Sequence, residues 1–458
     1  MPLFRYSSRL PYPVEEVFDW HRRPGALERL TPPWASVRVL EREGGIDDGG
    51  RILLGIKEGP AQVKWEIQHT AFLEGELFRD EQRSGPFKRW IHSHRFLPAE
   101  DGGCVMEDEV EWEPPLGAAG KILGEAFGEK ELQRLFAFRH ARLRHDLDLH
   151  ARYGQGEPLT VAVTGSTGLI GEALTHLLTT GGHTVLRISR REGKGDILWD
   201  YEGGRVDTEG LEMLDGVVHL AGEPIFGLRW TRDKKKAIME SRERGTEVLA
   251  RALAGLGRKP GVLVSASAVG FYGDRGAEIL SEEASAGKGF LPKVCRAWEA
   301  STVPARRAGI RVVTLRTGMV LTPAGGALGT MLLPFKVGIG GRLGSGKQYM
   351  SWIDLDDHVA LIYHALRTPD LRGPVNATAP HPVPNATFTD VLGRVLNRPT
   401  VIPVPGLGVK ALFGEMGKAL LLDGARVVPA KAQETGFNFR YPALEDSLRH
   451  QLGKREET

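Results

Sequence analysis

The sequence predicts an α/β fold with a doubly wound parallel sheet, preceded by a separate α+β domain. Three observations carry this expectation. Residues 161–171 read VAVTGSTGLIG: a β-branched apolar run, three glycines spaced G-x-x-G-x-x-G, then residues at helical period. From Leu159 onward, strand-like apolar runs alternate with amphipathic helical runs, the rhythm of a parallel sheet. Before Leu159 that rhythm is missing, and alternating strand-like segments lead into one long amphipathic helix.

The elements follow in order. Residues 13–30 read as one or two short helices, stopped by TPPW at 31–34. Strands are expected at 36–43, 50–56, 62–72, 77–83, 88–97 and 103–113, the last broken by Pro114-Pro115. Residues 121–150 place Leu123, Phe127, Leu132, Leu135, Phe136, Leu143 and Leu147 near helical spacing. Residues 1–150 therefore form one domain, and ARYGQGEP at 151–158 reads as a linker. Residues 159–374 form the parallel-sheet domain. Its strands are expected at 159–164, 184–189, 216–220, 262–266 and 311–316, and its helices at 168–180, 234–255, 291–308 and 356–367. Residues 375–458 are loop-rich, with short helices at 385–396 and 409–417, and are expected to complete a substrate lobe.

A chain of 458 residues exceeds one ordinary core, which agrees with two or three domains. Its 41% hydrophobic and 26% charged content is ordinary for a soluble globular protein. A net charge of +2 argues against a nucleic-acid partner or a strong membrane-surface field. No run approaches the about 20 apolar residues of a membrane span. Cys104 and Cys295 stand far apart, which suits a reducing compartment, and the N-terminal residues lack a signal-peptide layout. A cytoplasmic protein is the expectation.

The glycine loop is the candidate cofactor cradle: Gly165, Ser166, Thr167, Gly168, Leu169, Ile170 and Gly171. Its glycines permit a tight turn and close approach to a pyrophosphate resting on the helix N-terminus. After the second strand, NAD sites place an acidic residue for the ribose 2′-OH. Here the chain reads Ser189-Arg190-Arg191. A guanidinium pairs with a 2′-phosphate, so NADP(H) is expected ahead of NAD(H); a solvated basic turn is the alternative. Ala221 and Gly222 close another strand and leave room for a ribose or nicotinamide.

Three further residues are candidates. Ser267, at a strand's C-terminal end, is placed to hydrogen-bond a substrate oxygen, or else satisfies loop backbone. Glu223, directly after Gly222, is a candidate acid or base, or else a partner of a helix dipole or Arg229. Arg316 either braces a strand end or contacts a cofactor phosphate. His92 and His94 share one strand face, with His69 as a possible neighbour. No carboxylate or cysteine stands at ligand spacing in the sequence, so no metal site is expected there, only a solvated or cavity-lining face. Trp112, Leu123, Phe127 and Leu132 fill an ordinary core or, as the resemblance of residues 12–34 and 85–96 to SRPBCC (START-like) domains implies, line a cavity for an apolar ligand.

TGSTGLIG, HLAG, SASAVGFYG and LRTGMVL together resemble the extended and atypical short-chain dehydrogenase/reductases, the NAD-dependent epimerase/dehydratase group. GEPIFGLRW (222–230), Ser241-Arg242, Trp298-Glu299, SWIDLDD (351–357) and RVVPAKAQETGFNFRYP (426–442) resemble the epimerase family branch with a C-terminal domain of unknown function. Residues 12–34 and 85–96 are similar to the SRPBCC (START-like) domain fused in front of some members. The resemblance covers nearly the whole chain. It implies an α/β Rossmann-type doubly wound parallel sheet preceded by an α+β helix-grip (START-like) domain that holds an apolar ligand. It also implies that Tyr272, in a VYG-like turn, is structural.

The superfamily's catalytic pair is Tyr-x-x-x-Lys, the Lys lowering the pKa of a proton-transferring Tyr. Matching its trailing Glu to Glu299 puts Leu291 and Cys295 in the two slots, and a one-residue shift gives Phe290 and Val294. Neither register supplies the pair. Three readings stay open: an NADP(H)-dependent oxidoreductase or epimerase-like enzyme using Ser267 and Glu223 on a small molecule, a non-catalytic NADP(H) sensor or scaffold, or a lipid- or polyketide-modifying protein.

Overall fold

The computed structural model describes residues 3–58, 61–114, 128–154, 156–227 and 229–454. The chain divides into two units: Met1–Gly156 with Thr179–Gly182, and Glu157–Leu178 with His183–Thr458.

The first unit is a seven-stranded antiparallel sheet in the order β1-β7-β6-β5-β4-β3-β2. Its strands are β1 (Leu3–Leu10), β2 (Val37–Glu43), β3 (Arg51–Glu58), β4 (Ala61–Leu73), β5 (Leu77–Ser84), β6 (Arg89–Pro98) and β7 (Cys104–Glu113). Six of these were expected and β1 was not. Its inward face reads Phe4, Tyr6, Ser8, Leu10, and the serine hides the apolar alternation. Ser8 is tolerated there because its hydroxyl lies 2.6 Å from His140 Nδ1. Helices α1 (Val14–Arg22) and α2 (Ala26–Leu30) follow β1, and α3 (Glu129–Tyr153) closes the unit, running three residues into the expected linker.

One apolar cluster joins Phe4, Phe87, Trp90, Val110, Leu132 and Phe136, with Trp112 packed at its edge. Leu123 and Phe127, which the cavity reading also used, lie outside the described residues. Arg29 of α2 meets Asp146 of α3 through two bonds, of 2.6 and 2.5 Å, with both side chains almost wholly buried.

The second unit is built on an eight-stranded sheet, β11-β10-β9-β8-β12-β13-β15-β19. The strands are β8 (Thr160–Thr164), β9 (Thr184–Ser189), β10 (Ile197–Asp200), β11 (Arg205–Val206), β12 (Gly216–His219), β13 (Val262–Ala268), β15 (Arg311–Thr317) and β19 (Gly373–Ala377). All pairs are parallel except β10 with β11. Val161, Val163, Val217, Val218, Leu263, Val264 and Val313 are buried, as in a sheet covered on both faces.

Strand order reverses at β8, which has β9 on one side and β12 on the other. A crevice for a ligand opens at the C-terminal ends of strands at such a point. Helices α4 (Leu169–Thr180), α5 (Arg232–Gly255), α6 (Phe290–Ala300), α7 (Val303–Arg307), α8 (Gly326–Lys336) and α9 (Leu355–Arg367) connect the strands. The single helix expected at 291–308 is two, α6 and α7, with Pro304 in the first turn of α7.

The C-terminal residues belong to this unit rather than standing apart. The sheet's edge strand β19 crosses the expected boundary at 374. Short strands tie the rest in: β14 (Ile279–Leu280) pairs with β21 (Arg426–Val427), β16 (Met319–Leu321) with β18 (Trp352–Asp354), and β17 (Tyr349–Met350) with β20 (Val383–Pro384). Among the described residues the tail also carries α10 (Asn385–Leu396), α11 (Gly406–Gly417), a π-helical turn (Lys418–Leu422), α12 (Ala430–Glu434) and α13 (Leu444–Leu452). Carboxylates of SWIDLDD anchor it. Asp354 accepts from Ser447 Oγ at 2.6 Å and Gln451 Nε2 at 2.9 Å, and Asp357 accepts the backbone N–H groups of Arg440 and Tyr441.

Candidate cofactor crevice

The glycine loop leaves β8 at the reversal point and enters α4. Gly165 has φ +70°, and a Cβ there would stand 3.1 Å from the Ala221 backbone nitrogen. The strand end after β12 is therefore packed directly against the loop. A Cβ on Gly171 would lie 2.2 Å from the Gly165 carbonyl oxygen, so helix and loop touch backbone to backbone. Thr167, Gly168 and Leu169 are exposed, while Ser166 and Ile170 are half-buried. The loop thus presents its outer turn at the start of a 12-residue helix.

Thr164 and His219, neither singled out from the sequence, hold this corner. The Thr164 hydroxyl accepts the N–H groups of Leu220 and Ala221, both at 3.0 Å. With both lone pairs used, its proton goes to His219 Nδ1 at 2.8 Å, which leaves His219 Nε2–H to donate to Thr246 Oγ1 at 3.0 Å. Burial pushes His219 down to about 4, with Arg242 adding to the effect, so the ring stays neutral.

Arg190 and Arg191 follow the C-terminal end of β9. Both are exposed, and neither guanidinium is held by an acidic side chain among the described residues. Ala221 and Gly222 lie just past the end of β12. A Cβ on Gly222 would lie 3.2 Å from the Arg242 guanidinium carbon. Arg242 is buried, bonds the Glu223 carbonyl at 2.9 Å and stacks 4.8 Å over Trp298.

Glu223 has its backbone N–H on Ser241 Oγ at 3.0 Å and its carboxylate on Lys234 Nζ at 2.6 Å. Arg229, one alternative partner considered for it, instead bonds the Leu412 and Ala411 carbonyls. The residue that engages Glu223 is Lys234, one turn into α5.

Ser267 stands opposite Arg316 in the β13–β15 register. Its hydroxyl donates to Glu299 Oε1 at 2.7 Å. Arg316 grips the same carboxylate through Nε and a terminal nitrogen, both at 2.9 Å. Its other terminal nitrogen bonds Tyr272 Oη at 2.9 Å, and the guanidinium lies 3.5 Å over the Phe271 ring. Arg316 is only 4% exposed. The cofactor-phosphate role considered for it is corrected: its donors are engaged inside the protein, and it braces the strand ends. Burial works against the charge of Arg316, but Glu299 more than offsets this and raises its pKa. Tyr272 is fully buried and donates to Asn376 Oδ1 at 2.7 Å.

On α6, the positions facing β13 and its following turn carry Leu291 and Cys295. A Cβ on Gly270 would touch Leu291 Cβ at 3.2 Å, and Cys295 Sγ lies 3.7 Å from the Ala268 carbonyl. Burial pushes the Cys295 thiol up to about 12, Glu299 adding to it, so it remains an un-ionised SH group.

In the other unit, His69, His92 and His94 are not on a solvated face. All three are buried, and strand pairing sets Asp80 and Asp108 beside them. The sequence argument against a carboxylate near these rings considered spacing along the chain, and this sheet delivers the carboxylates across it.

Three stretches match known families: residues 10–139 the "Polyketide cyclase / dehydrase and lipid transport" family, residues 161–377 the "NAD dependent epimerase/dehydratase family", and residues 404–451 a "Domain of unknown function (DUF1731)". The chain is 46% identical to an epimerase family protein of Mycobacterium bovis over 290 residues, which is 63% of this chain and 96% of that protein. A crystal structure described as the nucleoside-diphosphate sugar epimerase from Corynebacterium glutamicum is 36% identical, with TM-score 0.81, covering 98% of this chain and 90% of that one. Human epimerase family protein SDR39U1 (isoform 2), crystallised with NADPH, is 36% identical with TM-score 0.61, covering 64% of this chain and 99% of that one. Among the described residues no helix is long and apolar enough to cross a membrane.

Proposed function

The chain belongs to the epimerase family of atypical short-chain dehydrogenase/reductases, and from that premise we propose that it binds NADP(H) in the β8 crevice and acts on a small molecule there as an oxidoreductase or epimerase-like enzyme. The observation that carries the cofactor reading is the pair of exposed guanidinium groups, Arg190 and Arg191, at the end of β9 beside the glycine loop. The cradle fits a dinucleotide, because the backbone contact at Gly171 brings the α4 N-terminus against the loop that would hold a pyrophosphate. Gly165, Ser166, Thr167, Gly168, Leu169, Ile170 and Gly171 would hold the diphosphate. Ala221 and Gly222 would leave room for the sugar nearest the reacting ring. NADPH in the human relative's crystal supports this reading.

When bound, the nicotinamide supplies the hydride chemistry. What the chain adds is proton handling. With its one proton donated to Glu299, Ser267 Oγ is left to accept a hydrogen bond from a substrate hydroxyl. The Arg316-paired Glu299 carboxylate accepts the Ser267 proton, so the Ser267–Glu299 pair offers a route for a substrate hydroxyl to pass its proton to Ser267 Oγ, in place of a Tyr and Lys. Glu223, tethered by Lys234 directly after Gly222, is the second candidate acid or base.

Two experiments test these assignments. The Arg190→Ala/Arg191→Ala double variant should lose at least about 100-fold in NADPH affinity, at about 1.5–3 kcal/mol per charged hydrogen bond, with NADH binding unchanged. Equal losses for both cofactors, or none, would contradict the assignment. Incubation with deuterated NADPH and a metabolite extract should move label to a product. Ser267→Ala should slow that transfer by about 10²–10⁴-fold, the usual contribution of one positioned proton-transfer group.

One observation favours a second reading, a non-catalytic NADP(H) sensor or scaffold. Leu291 and Cys295, in the slots of the superfamily pair, offer no phenol and no ammonium. If wild-type protein moves no label across a broad extract, this reading replaces the first.

A further inference from the structure

We propose that the N-terminal unit carries a mononuclear site for a divalent first-row transition metal ion, ligated by Asp80, His92 and His94. The sheet builds it from two neighbouring strands. Asp80 on β5 is paired directly with His92 on β6, and His94 lies two residues further along the same face. Asp80 Oδ2 stands 3.7 Å from His92 Nδ1 and is hydrogen-bonded to His94 Nε2 at 3.4 Å, a contact an ion would replace, and the three side chains each offer a donor atom within 4.8 Å of the others. A tetrahedral ion with bonds of about 2.0–2.1 Å separates its donors by about 3.4 Å. Two imidazoles and one carboxylate on one side, with positions left open, suit Zn²⁺ or Fe²⁺ rather than Mg²⁺ or Ca²⁺.

Behind the rings stands Asp108, contributed by β7. Its Oδ1 bonds His92 Nε2 at 2.8 Å and lies 2.7 Å from His94 Nδ1, and its Oδ2 bonds His140 Nε2 at 2.6 Å. A histidine that binds a metal through one nitrogen characteristically gives its other N–H to a carboxylate, which orients the ring and raises its basicity. Here one buried carboxylate hydrogen-bonds the rear nitrogen of His92 and stands 2.7 Å from that of His94. With the His92 Nε2 proton committed to Asp108, the Nδ1 lone pair faces the Asp80 carboxylate. That arrangement is repulsive unless a metal ion lies between them or Nδ1 carries a second proton.

The cluster is also under-satisfied. His69 Nδ1 lies 2.7 Å from Asp80 Oδ1, yet both atoms lack hydrogen-bond geometry, as does His94 Nδ1. His21, whose ring centroid is 6.2 Å from that of His94, has Nδ1 on the Val17 carbonyl at 2.8 Å, so its Nε2 is a bare lone pair. That atom is buried without a partner. The Asp80 side chain is 18% exposed, against 3% for His92 and 7% for His94, so an ion can enter past the carboxylate.

The test uses the full chain, stripped with a chelator and dialysed. It is titrated with Zn²⁺ alone by calorimetry and with Co²⁺ alone by visible absorption. The expected result is one saturable ion per chain, with Co²⁺ ligand-field bands typical of nitrogen and oxygen donors. Asp108→Asn should weaken Zn²⁺ binding by about 10- to 100-fold, and His92→Gln and Asp80→Asn by more. His381→Gln, at an exposed histidine of the other unit, should leave it unchanged. Circular dichroism shows which variants fold. If none does, zinc-edge X-ray absorption on the wild type decides, two imidazoles in the ligand shell being required. No saturable uptake by the wild type, or undiminished binding in folded His92→Gln and Asp80→Asn, would overturn the proposal and leave a protonated histidine–carboxylate cluster.

Discussion

Glu299→Ala is expected to destabilise the second unit by about 3 kcal/mol, the range for removing one partner of a buried ion pair. The substitution leaves Arg316, with its side chain 5% exposed, without its carboxylate and Ser267 without its acceptor. Phe271 below the guanidinium and the Tyr272 hydroxyl cannot neutralise the charge. Glu278→Ala is the matched control. Its pair with Arg275 is half in water, and such exposed pairs contribute about 0–1 kcal/mol. Denaturant unfolding of both variants checks the contrast. Equal midpoints would show that Arg316 is not held as described.

Gly171→Ala should cost about 1–3 kcal/mol in overpacking and abolish dinucleotide binding, although the added group is a single methyl. That methyl would lie 2.2 Å from the Gly165 carbonyl oxygen and 2.8 Å from Ser166 Cα. Both obstacles are backbone, so no side-chain movement relieves them, and the loop itself must lift away from the helix. Gly168→Ala meets only the Gly165 carbonyl, at 3.3 Å, and should perturb the fold far less. Unfolding curves and NADPH titration of the two variants separate these outcomes. NADPH binding retained in Gly171→Ala would remove the loop from the cofactor site.

These effects differ in how visible their causes are in the sequence. The strand–glycine-turn–helix unit was legible because its parts are local. A strand, a glycine turn and a helix start occupy eleven consecutive residues, and each glycine answers a nearby backbone constraint. The position of Arg190 and Arg191 was legible because they directly follow a strand that pairs beside it. The role of Arg316 was not, since its partners Glu299, Tyr272 and Phe271 come from α6 and the turn after β13. The one sequence hint was Trp298-Glu299, which belongs to the family resemblance and names no partner.

The first unit shows the same limit more strongly. β1 was missed because Ser8 interrupts its apolar face, and the His140 ring that accommodates the serine is more than a hundred residues away. His92 and His94 were visible as a pair on one face, but their carboxylates stand on β5 and β7, joined to them by antiparallel register alone. Chain spacing carries no trace of such neighbours. Helical positions in the tail were easier, because periodicity is intrinsic to one segment: α10 spans the residues expected of it.

The central claim is that the crevice at β8 is built for NADP(H). Calorimetric titration of the full-length wild-type chain with NADPH and with NADH, at one pH and ionic strength, tests it most directly. The account predicts saturable NADPH binding at least about 100-fold tighter than NADH binding, from the added pairing of Arg190 and Arg191 with the 2′-phosphate. Equal affinities, or a preference for NADH, would contradict it.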